Sequence, residues 1–379
     1  MNAAPGATST PHATVRPQFG LINLLKAGAA QLIVLHHLAF YGPMADFARP
    51  LMPSVIDWLG SFARVAVQVF LVIGGFLVAK SLFPQGQPGL DNPLLMVWRR
   101  YAKLAPPFMV AMLLSIAASA VANTWMTHDS ISAPPDLGQL AAHALLLQGI
   151  LGYESLSAGA WYVAIDFQLY AVVALLLWTC GRLAGSTARP WLMPAVIVLG
   201  VSTSLLYFNR DADWDAWAPY FFGSYGLGIM AWLASDPKRR PRTVALMVGM
   251  ILLPTLVALA LDFRIRIAVA LAVACVLFLF GRARPAGFDG GGLAVVNGMA
   301  RISYSVFLIH FPVCLLVNAA FTRFVPADPY LQGLGMLIAW GSSLVAGAAF
   351  FRWVEAPFGR LLAVAIKPGP HAGAGARLI

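Results

Sequence analysis

Ten apolar runs follow one another along this chain, separated by short polar turns and two longer loops. They cover about residues 20–41, 62–83, 104–122, 157–181, 190–208, 215–235, 241–260, 264–281, 299–321 and 329–353. A helix crosses a bilayer with about 20 apolar residues, because each adds 1.5 Å across a hydrocarbon core about 30 Å thick. The pattern predicts an all-α, polytopic membrane helical bundle with about ten transmembrane helices. An even number places both termini on one side.

Loop charge chooses that side. On the side of the termini lie Arg99, Arg100 and Lys103, then Arg182 and Arg189, then Lys238, Arg239, Arg240 and Arg242, then Arg282 and Arg284. The opposite loops carry only Arg49, Arg210, Arg264, Arg266 and Arg323. Cytoplasmic loops hold the excess of Lys and Arg, so both termini are expected in the cytoplasm. Of the two long loops, 83–103 is cytoplasmic and ends in the basic helical segment LLMVWRRYAKL. The other, 123–157, is external and contains LGQLAAHALLLQGI, too short to span and read as an interfacial helix. Residues 1–19 are expected to be a disordered cytoplasmic N-terminus, 20–360 one membrane domain, and 361–379 a disordered cytoplasmic tail.

Composition agrees with a membrane bundle. The chain is 60% hydrophobic and 11% charged, against about 25% charged for soluble domains. A net charge of +10 would suggest nucleic acid in a soluble protein. Here the cations sit in loops between apolar runs and report topology, so no nucleic-acid partner is expected. The three cysteines, Cys180, Cys275 and Cys314, lie in or at the end of apolar runs without ligand spacing. Neither disulfide nor metal is expected. The N-terminal stretch lacks an apolar core of its own and does not read as a signal peptide.

Candidate chemistry comes from the few ionisable residues inside the runs. Each costs roughly 2.5–3.5 kcal/mol to insert, so it calls for a function or a partner. The first run holds Lys26, His36 and His37. Lys26 and His37 are eleven residues apart, about three turns and 16 Å on one stripe, whereas His36 points away by about 80°. Small residues Ala29 and Ala30 and then Ile33 lie between, a shallow track for an elongated ligand. The alternative is that both polar groups snorkel to opposite interfaces. In the fourth run Tyr162, Asp166 and Tyr170 share a face. Asp166 there could orient a histidine acting as base, or merely tie two helices together. Arg100 and Lys103 share a face before Pro106, suited to phosphate but also expected from the inside-positive bias alone. His310 reads as a satisfied structural histidine. Glu355 reads as an interfacial charge beside Arg352.

In order along the chain, these residues resemble acyltransferase family 3, the integral-membrane O-acyltransferases that modify bacterial polysaccharides, lipopolysaccharides and some small molecules. The resemblance spans about residues 21–360. A basic residue, ten residues and a histidine are matched by Lys26 and His37. The family's F-F-V-x-S-G-F-L is matched by VFLVIGGFL. Its R-x-x-R before proline is matched by Arg100 and Lys103 before Pro106. Its W-Y-L-x-x-E-x-x-F-Y is matched by Trp161 to Tyr170, its S-Y-S-x-Y-L-x-H-x-P by SYSVFLIHFP, and its terminal E-x-P by Glu355 and Pro357. Lysine replaces arginine at 26 and 103, aspartate replaces glutamate at 166, and Gly74 replaces serine. Charge is kept while reach and fork geometry change.

The resemblance implies an acyl-CoA, such as acetyl-CoA, as donor substrate on the cytoplasmic side, with no permanently bound cofactor. It implies a hydroxyl of a surface or exported glycan, or a lipid-linked saccharide, as acceptor from outside. The location implied is a bacterial inner (cytoplasmic) membrane. His37 is then the general base with Asp166 as its partner, and Lys26, Arg100 and Lys103 meet the donor phosphates. Trp161, Tyr162, Ser303 and Tyr304 are candidate oxyanion or substrate contacts. A transporter or flippase without acyl transfer is the rival reading. It predicts inverted repeats and broken helices, and the sequence contains no internal repeat.

The charge bias makes a direct prediction. A cysteine placed at Asp136 should react with an impermeant thiol reagent in intact cells, and one placed at Lys238 should not. The reverse pattern would invert the assigned sides.

Overall fold

A computed structural model describes residues 20–87, 91–184, 191–282 and 291–365. The expected disorder of residues 1–19 and 366–379 lies outside them. Among the described residues every regular element is helical.

Helix α1 (Gly20–Phe40) is followed by the short α2 (Pro43–Ala48), then α3 (Pro53–Phe62) and α4 (Ala66–Leu82). Proline opens α2 and α3, where its missing N–H costs nothing and its fixed φ suits the first turn. Helix α5 (Pro93–Ala122) starts at Asn92, whose side-chain oxygen accepts from the N–H groups of Leu94 at 2.9 Å and Leu95 at 3.4 Å. Then come α6 (Leu137–Ala144), α7 (Ala160–Ala184), α8 (Leu192–Leu206), α9 (Ala218–Ala234) and α10 (Pro241–Leu261). The chain closes with α11 (Ile265–Phe280), α12 (Gly291–Phe324), α13 (Pro329–Phe350) and α14 (Ala356–Ala365). Eight stretches are long and apolar enough to cross a membrane, with α3 and α4 forming one and α13 and α14 another. The shorter α9 and α11 have 17 and 16 residues. The protein is an all-α, multi-pass helical bundle, and each of the ten expected runs corresponds to helix.

Three segments differ from the sequence reading. The basic helical segment placed in the loop before the third run is the first three turns of α5 itself, which continues through Pro106 and Pro107. Those prolines withhold two N–H donors, a defect that membrane helices tolerate because neighbouring groups and local adjustment satisfy the backbone. The segment expected to lie on the membrane surface instead enters the bundle. Tyr101 donates its hydroxyl to the carbonyl of Ala144 at 2.7 Å, and His143 stacks on Phe108. Tyr101 lies 21 residues before the end of α5, about 30 Å down its axis. His143, Leu146 and Gln148 are fully buried. Finally, α13 does not stop near 353 but passes through a π-helical turn, Phe351–Glu355, into α14. Helix therefore extends to Ala365, inside the segment expected to be a disordered tail from 361.

Helix α9 is the axis of one half of the bundle, buried from Tyr220 through Ala234. Part of that burial comes from close approach to α4. A Cβ on Gly75 would run into the carbonyl oxygen of Tyr225, and one on Gly228 into that of Val72. The two glycines thus let the backbones touch, as small residues do where membrane helices pack. In the other half, α1 and α12 run parallel. Asn23 donates to Asn297 at 2.8 Å near the start of α1, and His37 meets His310 near its end.

Gly75→Ala should lower stability by about 1–3 kcal/mol, the usual cost of overpacking. Gly249→Ala is the control, since a Cβ there meets nothing within 4 Å. Thermal unfolding in detergent reads both, and equal midpoints would refute the close approach.

Candidate active site

Two polar centres lie along α1, one beside Lys26 and one at His37. At the first, α5 and α7 bring Arg100 and Asp166 together. Arg100 Nη2 donates to Asp166 Oδ2, and the guanidinium lies over the Tyr170 ring, 5.3 Å from its centroid. Asp166 is 7% exposed. Gly74 of α4 lies against both Asp166 and Tyr225. A Cβ there would stand 3.7 Å from Asp166 Oδ1 and 3.0 Å from Tyr225 Cε2. Tyr225 is fully buried, and neither its hydroxyl nor Arg100 Nε has a hydrogen-bond partner. Lys26, Lys103 and Glu355 act electrostatically on one another and on this pair. Lys103 is exposed and Lys26 half-buried. Glu355 sits in the π-helical turn, a device frequent at functional sites, and accepts from Ser305 Oγ at 2.5 Å. That bond replaces the expected pairing with Arg352, whose side chain is exposed. Tyr304 donates to the carbonyl of Leu104 at 3.3 Å.

At the second centre, His37 Nδ1 lies 2.6 Å from His310 Nε2, with ring centroids 4.9 Å apart and planes inclined by 19°. His310 Nδ1 is 3.1 Å from the carbonyl oxygen of Val306, one turn back on α12. His36 bonds through Nδ1 to the carbonyl of Leu59 at 2.9 Å, its ring 5.2 Å from that of His37. Both His36 and His37 line a cavity of about 1180 Å³ at the end of the bundle where α1 finishes. Its wall includes Trp161, Phe311, Asp57, Asp129, Glu154 and Arg64. Arg49 and Asp57 bridge across its rim at 2.7 Å.

The other candidates divide between these centres or fall outside both. Trp161 lines the cavity. Tyr162 packs on Phe70 and Phe307 behind it. Ser303 spends its hydroxyl on the carbonyl of Ala300 in its own helix. Ala29, Ala30 and Ile33 are 2–3% exposed, so the expected shallow track is packed in the unliganded chain.

The expected His37–Asp166 partnership is not formed. Asp166 belongs to the Lys26 centre, and His37 lies eleven residues, about 16 Å, further along α1. The sequence reading counted depth for both residues from a common outer surface. Helix α7 begins well below that surface, because the chain before it descends with α6. Two members of the site escaped the sequence reading. His310 was visible as an embedded histidine, but nothing in its spacing tied it to α1. Tyr225 stood in an aromatic run with no distinguishing neighbour.

A family model described as an acyltransferase domain matches residues 20–354. No curated protein and no solved structure matches the chain.

The Arg100–Asp166 pair should show strong coupling. Asp166→Asn or Arg100→Gln alone leaves the other charge without its partner, whereas the double variant does not. A double-mutant cycle on unfolding free energy should give an interaction of about 1–3 kcal/mol. Additive effects would mean the two residues are independent.

Proposed function

Because this chain belongs to acyltransferase family 3 and is a multi-pass membrane acyltransferase, we propose that it moves a short acyl group from acyl-CoA to a hydroxyl of a surface or exported glycan in a bacterial inner membrane. The observation that carries this reading is the placement of a cation cluster beside Lys26 and a histidine centre at His37, about 16 Å apart along α1. The cations Lys26, Arg100 and Lys103 stand at the cytoplasmic end under the inside-positive assignment. They suit the phosphates of a CoA donor, Lys103 as an exposed point charge and Arg100 as a fork aligned by Asp166. Asp166 is accordingly assigned a positioning role toward Arg100.

The acceptor enters the outer cavity. Carboxylates such as Asp129 and Glu154 accept hydrogen bonds from sugar hydroxyls, and Trp161 offers a flat apolar face to a ring. His37 takes the proton from the attacking hydroxyl, whose oxygen adds to the thioester carbonyl. The tetrahedral intermediate collapses with cleavage of the carbon–sulfur bond. The departing CoA thiolate then takes up the proton from His37. The donor's arm runs between the two centres along the Ala29–Ala30 stripe, where the side chains to be displaced are smallest. Tyr304 and the unpartnered hydroxyl of Tyr225 flank the donor end.

His36 is the obvious competitor as base. Its single bond goes to a main-chain carbonyl on α3, which can hold the ring but cannot share the charge that forms on it.

Transfer of labelled acetyl from acetyl-CoA to membranes of a strain lacking the gene tests these roles. His37→Ala should lower kcat by roughly 10²–10⁴-fold, the usual weight of a general base, with donor KM nearly unchanged. His36→Ala should change kcat only a few-fold. Lys103→Ala should raise donor KM while sparing kcat, as expected when ground state and transition state lose the same contact. An inactive His36 variant with an active His37 variant would reverse the assignment.

A further inference from the structure

Among the described residues no carboxylate bonds to His37, yet a histidine base needs one ring nitrogen held and the other free. The hydrogen bonds around His310 determine which is which. A carbonyl oxygen only accepts, so the contact between His310 Nδ1 and the Val306 carbonyl, at 3.1 Å, requires the proton to sit on Nδ1. In a neutral ring that leaves Nε2 as an acceptor. The 2.6 Å contact to His37 Nδ1 then requires His37 to donate from Nδ1. His37 Nε2 is consequently proton-free, in a side chain that lines the outer cavity.

We propose that His310 is a positioning residue, a neutral imidazole that locks the tautomer of His37 and takes up its charge during acyl transfer. This rests on the reading of His37 as the base. The Val306 carbonyl fixes His310, and His310 fixes His37, so the polarity of the chain is set by the helical backbone of α12. As the acceptor hydroxyl gives its proton to His37 Nε2, the Nδ1 proton of His37 shifts onto His310 Nε2. His310 is then an imidazolium with both N–H groups bonded, one to Val306 and one to His37. When CoA thiolate leaves and takes the proton from His37 Nε2, the shared proton returns to His37 Nδ1. No proton is gained or lost by the pair over the cycle.

The arrangement does the work that a carboxylate does in a hydrolase triad, without placing a permanent anion at that depth. A buried unpaired carboxylate would have to be neutralised or matched. A histidine becomes charged only while the reaction requires it. His36 lacks this relay, since its Nδ1 partner is a carbonyl.

Nitrogen-15 histidine NMR on the detergent-solubilised full chain reads the tautomers directly, because the chain has only 7 histidines. The expected result is a His37 ring protonated at Nδ1, with nitrogen–nitrogen coupling across the bond to His310 Nε2. In His310→Gln the coupling should vanish while His37 keeps its Nδ1 proton, because the amide oxygen can still accept. His310→Leu should lose the tautomer preference. Acetyl transfer to the gene-deleted membranes should fall at least tenfold further in His310→Leu than in His310→Gln, with donor KM unchanged in both. A wild-type His37 protonated at Nε2 would overturn the inference, as would equal transfer by the two variants. A correct tautomer together with an active His37→Ala variant would instead refute His37 as the base.

Discussion

The membrane interior allows no charge without a partner, and the Arg100–Asp166 pair is this bundle's answer to that constraint. Breaking such a pair is costly because the survivor stays uncompensated. To form it, α5 must face α7 at the level of Gly74, where α4 has no side chain to press on the neighbouring Tyr225 ring. Helix α7 must also begin deep enough for its second turn to meet Arg100. The chain between α5 and α7 therefore descends into the bundle with α6, and its return leaves an outer hollow. That hollow is the cavity lined by His36, His37 and Trp161. Placing the only described carboxylate of α7 opposite Arg100 has a second effect. It withholds a carboxylate from His37, whose ring is held instead by His310.

The helices were legible because apolar length is the strongest signal a membrane chain carries. The candidate residues were legible because ionisable groups inside such runs are rare. Lys26 and His37 share a stripe of a single helix, so their separation followed from helical geometry alone. Depth across helices did not follow. Asp166 and His37 were placed together by counting from run ends, and the dip of α6 displaced that origin for α7. The basic helical segment before Pro106 was set apart from the third run because two consecutive prolines usually end a helix, yet α5 passes through them. His310 was read as a structural histidine with no partner named and Glu355 with a local partner, Arg352, since sequence spacing reports only neighbours on the same helix. Their actual partners, His37 and Ser305, lie 273 and 50 positions away.

Under the proposed function, the separation of the two centres gives the site its chemical logic. A phosphate-rich donor and a hydroxyl-rich acceptor have opposite needs, cations for one and acceptors with a base for the other. Crowding both sets of groups would pair the lysines and arginines with the cavity's carboxylates and lower the basicity of His37. Keeping the two centres about 16 Å apart along α1 directs each set to its own substrate. Only an extended arm carrying the acyl group then has to connect them.

The most direct measurement of this account is a structure of the chain with a non-hydrolysable acetyl-CoA analogue. The account predicts nucleotide phosphates against Lys26, Arg100 and Lys103, and the acyl end directed toward His37. A nucleotide seated in the outer cavity, or an acyl end turned away from His37, would contradict it.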